Sequence, residues 1–258
     1  MKQTYKKRFT VRNAESSNLQ RKPKGRQSKI TNYFESKNQE TIKHISINDE
    51  YINCFQSNNQ KRIESCEKLA YYCDKLPSFL VLGQEPSMVG MTITGLNGRH
   101  ARVHGLVQRP RAYVYLHKNI RTWPLDHLCD QDVAATLLDL GKQGGDRILA
   151  CSIYWDGRIS TFPENAIRAM KLANAKGYTL LLGGDLNARN VIYGSNITDT
   201  RGKIFEQILI QNNLTTLNIG TVPTCTASQG GSVIDVTTIT SGMEDIISDW
   251  RVSKLESH

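Results

Sequence analysis

Short apolar runs, several of them linked too tightly for a helical crossover to fit between, set the strongest limit on what this chain can become. They fall at 52–55, 79–82, 112–116, 133–138, 148–153, 179–182, 216–218, 232–238 and 250–252. Runs of this length, bounded by glycine and polar residues, read as buried strands. Helical periodicity is confined to 62–73, 163–175 and 201–211, the second opened by Pro163 and Glu164 and closed by Lys176 and Gly177. Parallel neighbours need a crossover of about a dozen residues or more, which several of these links lack. The pattern predicts a four-layered α/β sandwich, with two mixed β-sheets packed face to face and helices flanking them.

Charge divides the chain differently. Of the 33 Lys and Arg residues, 12 lie in the first 50 positions, beside 5 of the 24 acids, so most of the formal charge of +9 belongs to the N-terminal part. That part is poor in aromatics and rich in Ser, Asn and Gln. Such a segment buries too little apolar surface to offset chain entropy, so 1–45 is expected as a disordered basic tail and 46–258 as the folded domain. The six cysteines lack zinc-type spacing, and no apolar run is long enough for a membrane span or a signal peptide. A soluble intracellular protein with reduced thiols is expected.

Several runs end in side chains that carry chemistry. In "LLLGGDLNARN" (180–190) the run enters two glycines, and Asp185 and Asn187 follow two positions apart. If the strand continues, its period of two points both the same way at the strand exit. "FLVLGQEP" delivers Glu85, a hard oxygen ligand suited to Mg2+ or Mn2+. "ILACSIYWDG" delivers Tyr154, and "GGSVIDVTTIT" sets Asp235 within a strand, where a carboxylate is costly without a partner. Taken singly, each has an ordinary reading as a turn acid, a solvated loop acid or a core-edge tyrosine.

Their order and spacing resemble the exonuclease-endonuclease-phosphatase superfamily. The "QEP" form is similar to the apurinic-type endonuclease domains of the second open reading frame of non-LTR retrotransposons, over about residues 51–258. The resemblance implies a divalent-metal-dependent DNA endonuclease, with Mg2+ or Mn2+ as cofactor, that nicks double-stranded DNA to prime reverse transcription. It implies that Glu85 binds the metal and that Asp185 positions the attacking water. Asn187 and Tyr154 would hold the phosphate, and Asp235 would support a catalytic His. The family's first-strand Asn falls on Asn58 in "FQSNNQ", with Asn53 and Asn59 as rivals. Arg201 in "TRGK" corresponds to a DNA-contacting or structural arginine, and Arg189 and Ser232 stand where DNA contacts are expected.

The resemblance also implies a nuclear protein and a longer polyprotein containing a reverse transcriptase. Two departures accompany it. The family's Ser-Asp-His triplet would begin just after His258, so the domain is expected to be truncated at its C-terminus and its activity impaired. Cys225 in "VPTCTA" replaces an aromatic. The rival functions are a catalytically impaired DNA- or clamp-binding module and an abasic-site repair endonuclease.

One motif in the tail is sharper than its surroundings. "QSKITNYF" fits Q-x-x-[ILM]-x-x-[FY]-[FY], the form of a PCNA-interacting box. One helical turn would place Ile30, Tyr33 and Phe34 on one face for an apolar pocket, with Gln27 reaching a polar one. A sliding clamp is therefore an expected partner.

Overall fold

The computed structural model describes residues 6–11, 52–96, 98–140, 147–227 and 230–253. In chain order the strands are β1 (Lys6–Val11), β2 (Ile52–Asn58), β3 (Phe79–Gln84), β4 (Met88–Val89), β5 (Thr92–Ile93), β6 (Ala101–His104), β7 (Ala112–His117) and β8 (Arg121–Pro124). They continue with β9 (Val133–Asp139), β10 (Arg147–Tyr154), β11 (Thr179–Asp185), β12 (Leu214–Thr216), β13 (Cys225–Ala227), β14 (Gly230–Ser232), β15 (Asp235–Thr240) and β16 (Ile247–Ser253). The α-helices are α1 (Ile63–Cys73), α2 (Glu164–Lys176) and α3 (Thr200–Gln211).

Two six-stranded sheets form, in the orders β16-β1-β2-β3-β7-β6 and β12-β15-β11-β10-β9-β8. Each combines one parallel pair, β2 with β3 and β10 with β11, with antiparallel neighbours. Each parallel pair is joined through a helix, as the crossover rule requires.

Strand alternation sorts the apolar residues into three cores. In β3, Leu80 and Leu82 face the opposite sheet, where they join Val114, Leu138, Ala150, Leu181 and Ile239. Phe79 and Val81 face the other way, onto Cys66, Leu69 and Ala70 of α1. In β10 and β11, Leu149, Ile153, Leu180 and Leu182 turn outward to Ala166, Met170 and Phe205 of α2 and α3. Three cores between four layers give the expected sandwich. α2 ends at Gly177 in the left-handed conformation, and Asp199 caps α3 by accepting from the Gly202 backbone N–H at 2.7 Å.

The first correction concerns the tail. Lys6–Val11, expected within a disordered segment, is a strand between β2 and β16, pairing Lys7 with Gln56 and Val252 and Val11 with Ile52 and Ile247. The domain therefore starts earlier than residue 46. Ladder pairing needs backbone N–H and C=O groups more than apolar side chains, and composition does not register it. Residues 12–50, with the clamp-type box at Gln27, Ile30, Tyr33 and Phe34, lie outside the described residues, as does His258.

A second correction concerns length and number. β2, β3, β10 and β11 run on by one to three residues toward one end of the sandwich, and the strand expected at 216–218 lies earlier, at Leu214–Thr216. The segment expected as one strand at 232–238 is divided between β14 and β15, and the short β6 and β8 carry too little periodicity to be read in advance. Among the described residues no helix is long and apolar enough to cross a membrane, and no disulfide joins the six cysteines.

Gly83 shows how tightly the layers meet. It lies on the α1 side of β3, where a Cβ would overlap the buried Tyr113 ring. The ring cannot retreat in a close-packed core. Gly83→Ala should lower unfolding free energy by about 1–3 kcal/mol in urea denaturation; an unchanged midpoint would show that Tyr113 has room to move.

Candidate active site

The C-terminal ends of β2, β3, β10 and β11 and the start of β15 meet at one end of the sandwich. They surround an open cavity of about 290 Å3 lined by Asn58, Gln60, Glu85, Tyr154, Asp185, Asn187, Thr224, Cys225, Ile234 and Asp235. Six residues singled out in the sequence, Asn58, Glu85, Tyr154, Asp185, Asn187 and Asp235, thus share one wall. Of the three asparagines weighed for the first strand, Asn58 is the one brought here. Its Nδ2 donates to Asp185 Oδ2 at 2.9 Å, whereas Asn53 bonds the Ser78 carbonyl and Asn59 bonds Tyr113.

The route by which Asp185 and Asn187 reach the cavity differs from expectation. β11 ends at Asp185, and Asn187 has φ of 45°, so the strand does not carry it there. The turn closes on itself instead, with the Asn187 backbone N–H donating to Asp185 Oδ1 at 3.0 Å. The Asn187 side chain donates to the Trp155 carbonyl at 3.1 Å. Glu85 and Gln60 are also left-handed, with φ of 47° and 50°. Three such non-glycine residues on one cavity are costly, and each is held by its neighbours. The Glu85 N–H bonds the Arg111 carbonyl, its carbonyl accepts from Lys61 N–H, and Gln60 N–H donates to Asn58 Oδ1.

Asp235 also departs from expectation, because it is the first residue of β15 and not an interior one. A backbone turn at its own approach cradles it. The Thr224 hydroxyl accepts from the N–H groups of Ile234 and Asp235 at 3.1 and 3.0 Å. From the facing sheet, Gln56 Nε2 donates to Asp235 Oδ1 at 3.4 Å, and Thr237 Oγ1 donates to Gln56 Oε1 at 2.9 Å, fixing which way the amide points. Gly183 makes space for that amide: a Cβ there would stand 3.3 Å from Gln56 Oε1 and 2.9 Å from Leu82 Cδ1. Gln56, Gln60, Thr224 and Thr237 were not read as functional. Gln56 carried a signal, since it precedes Asn58 by two places on the same face of β2.

Electrostatically the cavity is acidic, and none of its lining residues is cationic. Burial first, and then Asp235 and Glu85, push the Asp185 carboxyl well above the usual carboxylate range. Burial, with Glu85 and Asp185 behind it, pushes the Tyr154 phenol up to about 12. Beneath Tyr154, Arg111 lies with its guanidinium 5.3 Å from the ring centroid. It is held by Asp132 at 2.5 and 2.6 Å and also by Asp156.

The donor set suits a divalent cation. Glu85 and Asp185 supply oxygen donors beside the Asn58 carboxamide, and the crowded negative charge has no cation against it in the wall. Among the described residues no three His, Cys, Asp or Glu side chains are grouped closely enough to cage an ion. Few protein donors and several waters is the habit of Mg2+.

The arginines and serine expected to touch DNA are placed differently. Arg201 does not face the cavity mouth. Its guanidinium lies 3.7 Å from the Trp155 ring centroid and donates to five backbone carbonyls: Asn187 at 2.9 Å, Asp156 at 3.2 Å, Trp155 at 3.0 Å, Leu186 at 2.8 Å, and Ile159. All five N–H donors are consumed within the protein, so none is left for a phosphate. Arg201 stitches the loop after β10 to the loop after β11 and so sets Tyr154 against Asn187. Arg189 is exposed, with its backbone bonded to Asp199, and Ser232 is half-buried on the β13–β14 ribbon. Neither lines the cavity. Arg201→Met should lower stability by about 2–4 kcal/mol, since it strands several part-buried carbonyls. Arg201→Lys should recover little, because an ammonium has three donors and no planar fork. Denaturant titration checks both.

Residues 148–258 match the family model described as endonuclease-reverse transcriptase. Among solved structures, the endonuclease domain of TRAS1, a telomere-specific non-LTR retrotransposon, superposes with a TM-score of 0.60 at 23% identity, covering 76% of this chain and 88% of that one. The 3′ phosphatase NExo (D146N) from Neisseria, bound to product DNA hairpin, gives 0.49 at 13% identity, over 74% and 87%. The Xenopus laevis APE2 catalytic domain gives 0.46 at 13%, over 72% and 81%. No curated protein matches in sequence. The chain shares its fold with the TRAS1 endonuclease domain, and its residues 148–258 match the endonuclease-reverse transcriptase family model.

Proposed function

We propose that the chain is a divalent-metal-dependent endonuclease that nicks double-stranded DNA by phosphodiester hydrolysis, opening a 3′ end from which a non-LTR retrotransposon primes reverse transcription. The observation that carries this reading is the convergence of Glu85, Asp185 and Asp235 with Tyr154, Asn58 and Asn187 on one solvent-open cavity. The TRAS1 likeness and the matching family model support the retrotransposon setting.

Each residue answers part of the barrier. Asp185, whose proton affinity is raised by its surroundings, is suited to take a proton from an attacking water. Tyr154 keeps its phenolic proton at neutral pH and donates it as a hydrogen bond to a phosphate oxygen. Asn187, locked to the Trp155 carbonyl, orients the phosphate from the other side. Glu85, beside the Asn58 carboxamide, would hold Mg2+ or Mn2+, which supplies positive charge against the oxygens of the transition state. Lys61 and Arg62, exposed where the β2 loop leaves Gln60, and Arg158, exposed beside Asp156, supply cations around the rim for DNA phosphates.

Incubation with supercoiled plasmid and Mg2+ should give open circles, and EDTA should stop the reaction. Asp185→Ala should slow nicking by about a thousandfold and Tyr154→Phe by about tenfold to a hundredfold. Nicking that survives Asp185→Ala in folded protein would remove this assignment. The clamp contact at Gln27, Ile30, Tyr33 and Phe34 belongs to the same reading, as a tether that raises local concentration on replicating DNA. A pull-down with PCNA should lose its signal in Tyr33→Ala plus Phe34→Ala; an undiminished signal would discard the box.

A further inference from the structure

The end of the sandwich opposite the cavity carries a second concentration of charge. β3 runs from that end toward Glu85, so the two ends are roughly 20 Å apart along the strands. β7 reverses direction, bringing His117 and then Lys118 to the far end, where Ala101 pairs with His117. The segment around Arg99 is therefore remote from the cavity. α1 runs back from the rim and ends here as well, at Tyr71, Tyr72 and Lys75. The Asn119 side chain ties this turn to the Pro77 carbonyl.

Two of the cations at this end are fixed by backbone carbonyls and not by acids. Lys118 Nζ donates to the Arg99 carbonyl at 2.6 Å, and Arg102 donates to the Lys118 carbonyl. Among the described residues none of Lys75, Arg99, Arg102 or Lys118 takes part in a salt bridge. The carboxylates nearby are Asp74, which lies against Gly98, and Glu67, two turns back on α1. Arg121, a little further along the chain, is paired with Asp139. Flat rings are interleaved with the cations. His100 lies 5.9 Å from His117, whose ring meets Phe79 edge-on, and Lys75 sits 3.8 Å over the ring of Tyr71, which is 61% exposed.

We infer that this pole, built from Tyr71, Lys75, Arg99, His100, Arg102 and Lys118, is a binding surface for single-stranded nucleic acid. Cations with no acid paired to them keep their full charge for phosphates, and exposed Tyr and His rings offer platforms on which unpaired bases stack. A duplex hides its base faces and would leave the rings unused. The distance from the cavity lets both ends be occupied at once, so the DNA being cut and a separate strand can be held by one domain. The inference does not depend on the cavity being a nuclease.

Fluorescence polarisation with a labelled oligouridine RNA, read against a duplex DNA of equal length, tests it on the whole chain. Arg99→Glu plus Lys118→Glu should weaken RNA binding by at least about tenfold, and should flatten the salt dependence by roughly 0.7 in logarithmic slope per lost phosphate contact. Plasmid nicking should be unchanged, which also reports that the variant is folded. Tyr71→Ala plus His100→Ala should weaken the RNA and leave duplex binding alone. An RNA affinity within twofold of the parent in the charge-reversed protein overturns the proposal. So does an equal loss of duplex and single-strand binding there, or a loss of RNA binding in Arg158→Glu at the cavity rim. Because the readout is binding, failure of the nuclease reading would show as absent nicking with RNA binding intact.

Discussion

The contact on which the rest depends is polar and lies between the two sheets. At the cavity end, the apolar interface gives way to side chains that find partners on the opposite sheet. Gln84 donates to Ser152, which donates to the Gly83 carbonyl; Gln56 joins Asp235 and Thr237; Asn58 joins Asp185. A buried polar group without a partner costs about 1–3 kcal/mol, so sliding one sheet past the other breaks several bonds together. Leucine contacts at the other end tolerate small shifts; these bonds do not. The register of the sandwich and the geometry of the cavity are therefore set by the same atoms.

Rigidity around the cavity comes from two arginines that never reach it. Arg201 binds the carbonyls of both flanking loops, and Arg111 is clamped by Asp132 and Asp156 beneath Tyr154. Left-handed backbone at Gln60, Glu85 and Asn187 persists because these surroundings over-determine it. The acidic wall gains from the same stiffness. Carboxylates that repel one another would swing apart on mobile loops, whereas here they stay close, and Asp235 and Glu85 raise the proton affinity of Asp185.

The two ends of the molecule are chemically opposed. One gathers carboxylates in a recess, and the other presents cations and rings. Alternation along antiparallel strands makes this separation possible. β7 and β3 carry neighbouring residues to opposite ends, so Arg111 beside Glu85 and Lys118 beside Arg99 are seven positions apart in sequence but at different poles.

Much of this was legible in one dimension. Short apolar runs dictated strands, the tight links among them pointed to mixed sheets, and carboxylates at run ends marked Glu85 and Asp185 while one inside a run marked Asp235, because periodicity and burial act locally and leave their trace in residue order. What sequence could not express was pairing at a distance. Lys6–Val11 joins the sheet through backbone bonds that composition does not encode. Arg201, which residue order left open between a DNA contact and a structural role, is a carbonyl clamp because five acceptors from two loops surround it. Gln56 and Thr224 gained roles only once β2 and β15 faced each other. Residue order alone determined the layers and which side chains could do chemistry. Tertiary structure alone decided where each donor would be spent, since a hydrogen bond depends on who stands within 3 Å and not on who precedes whom in the chain.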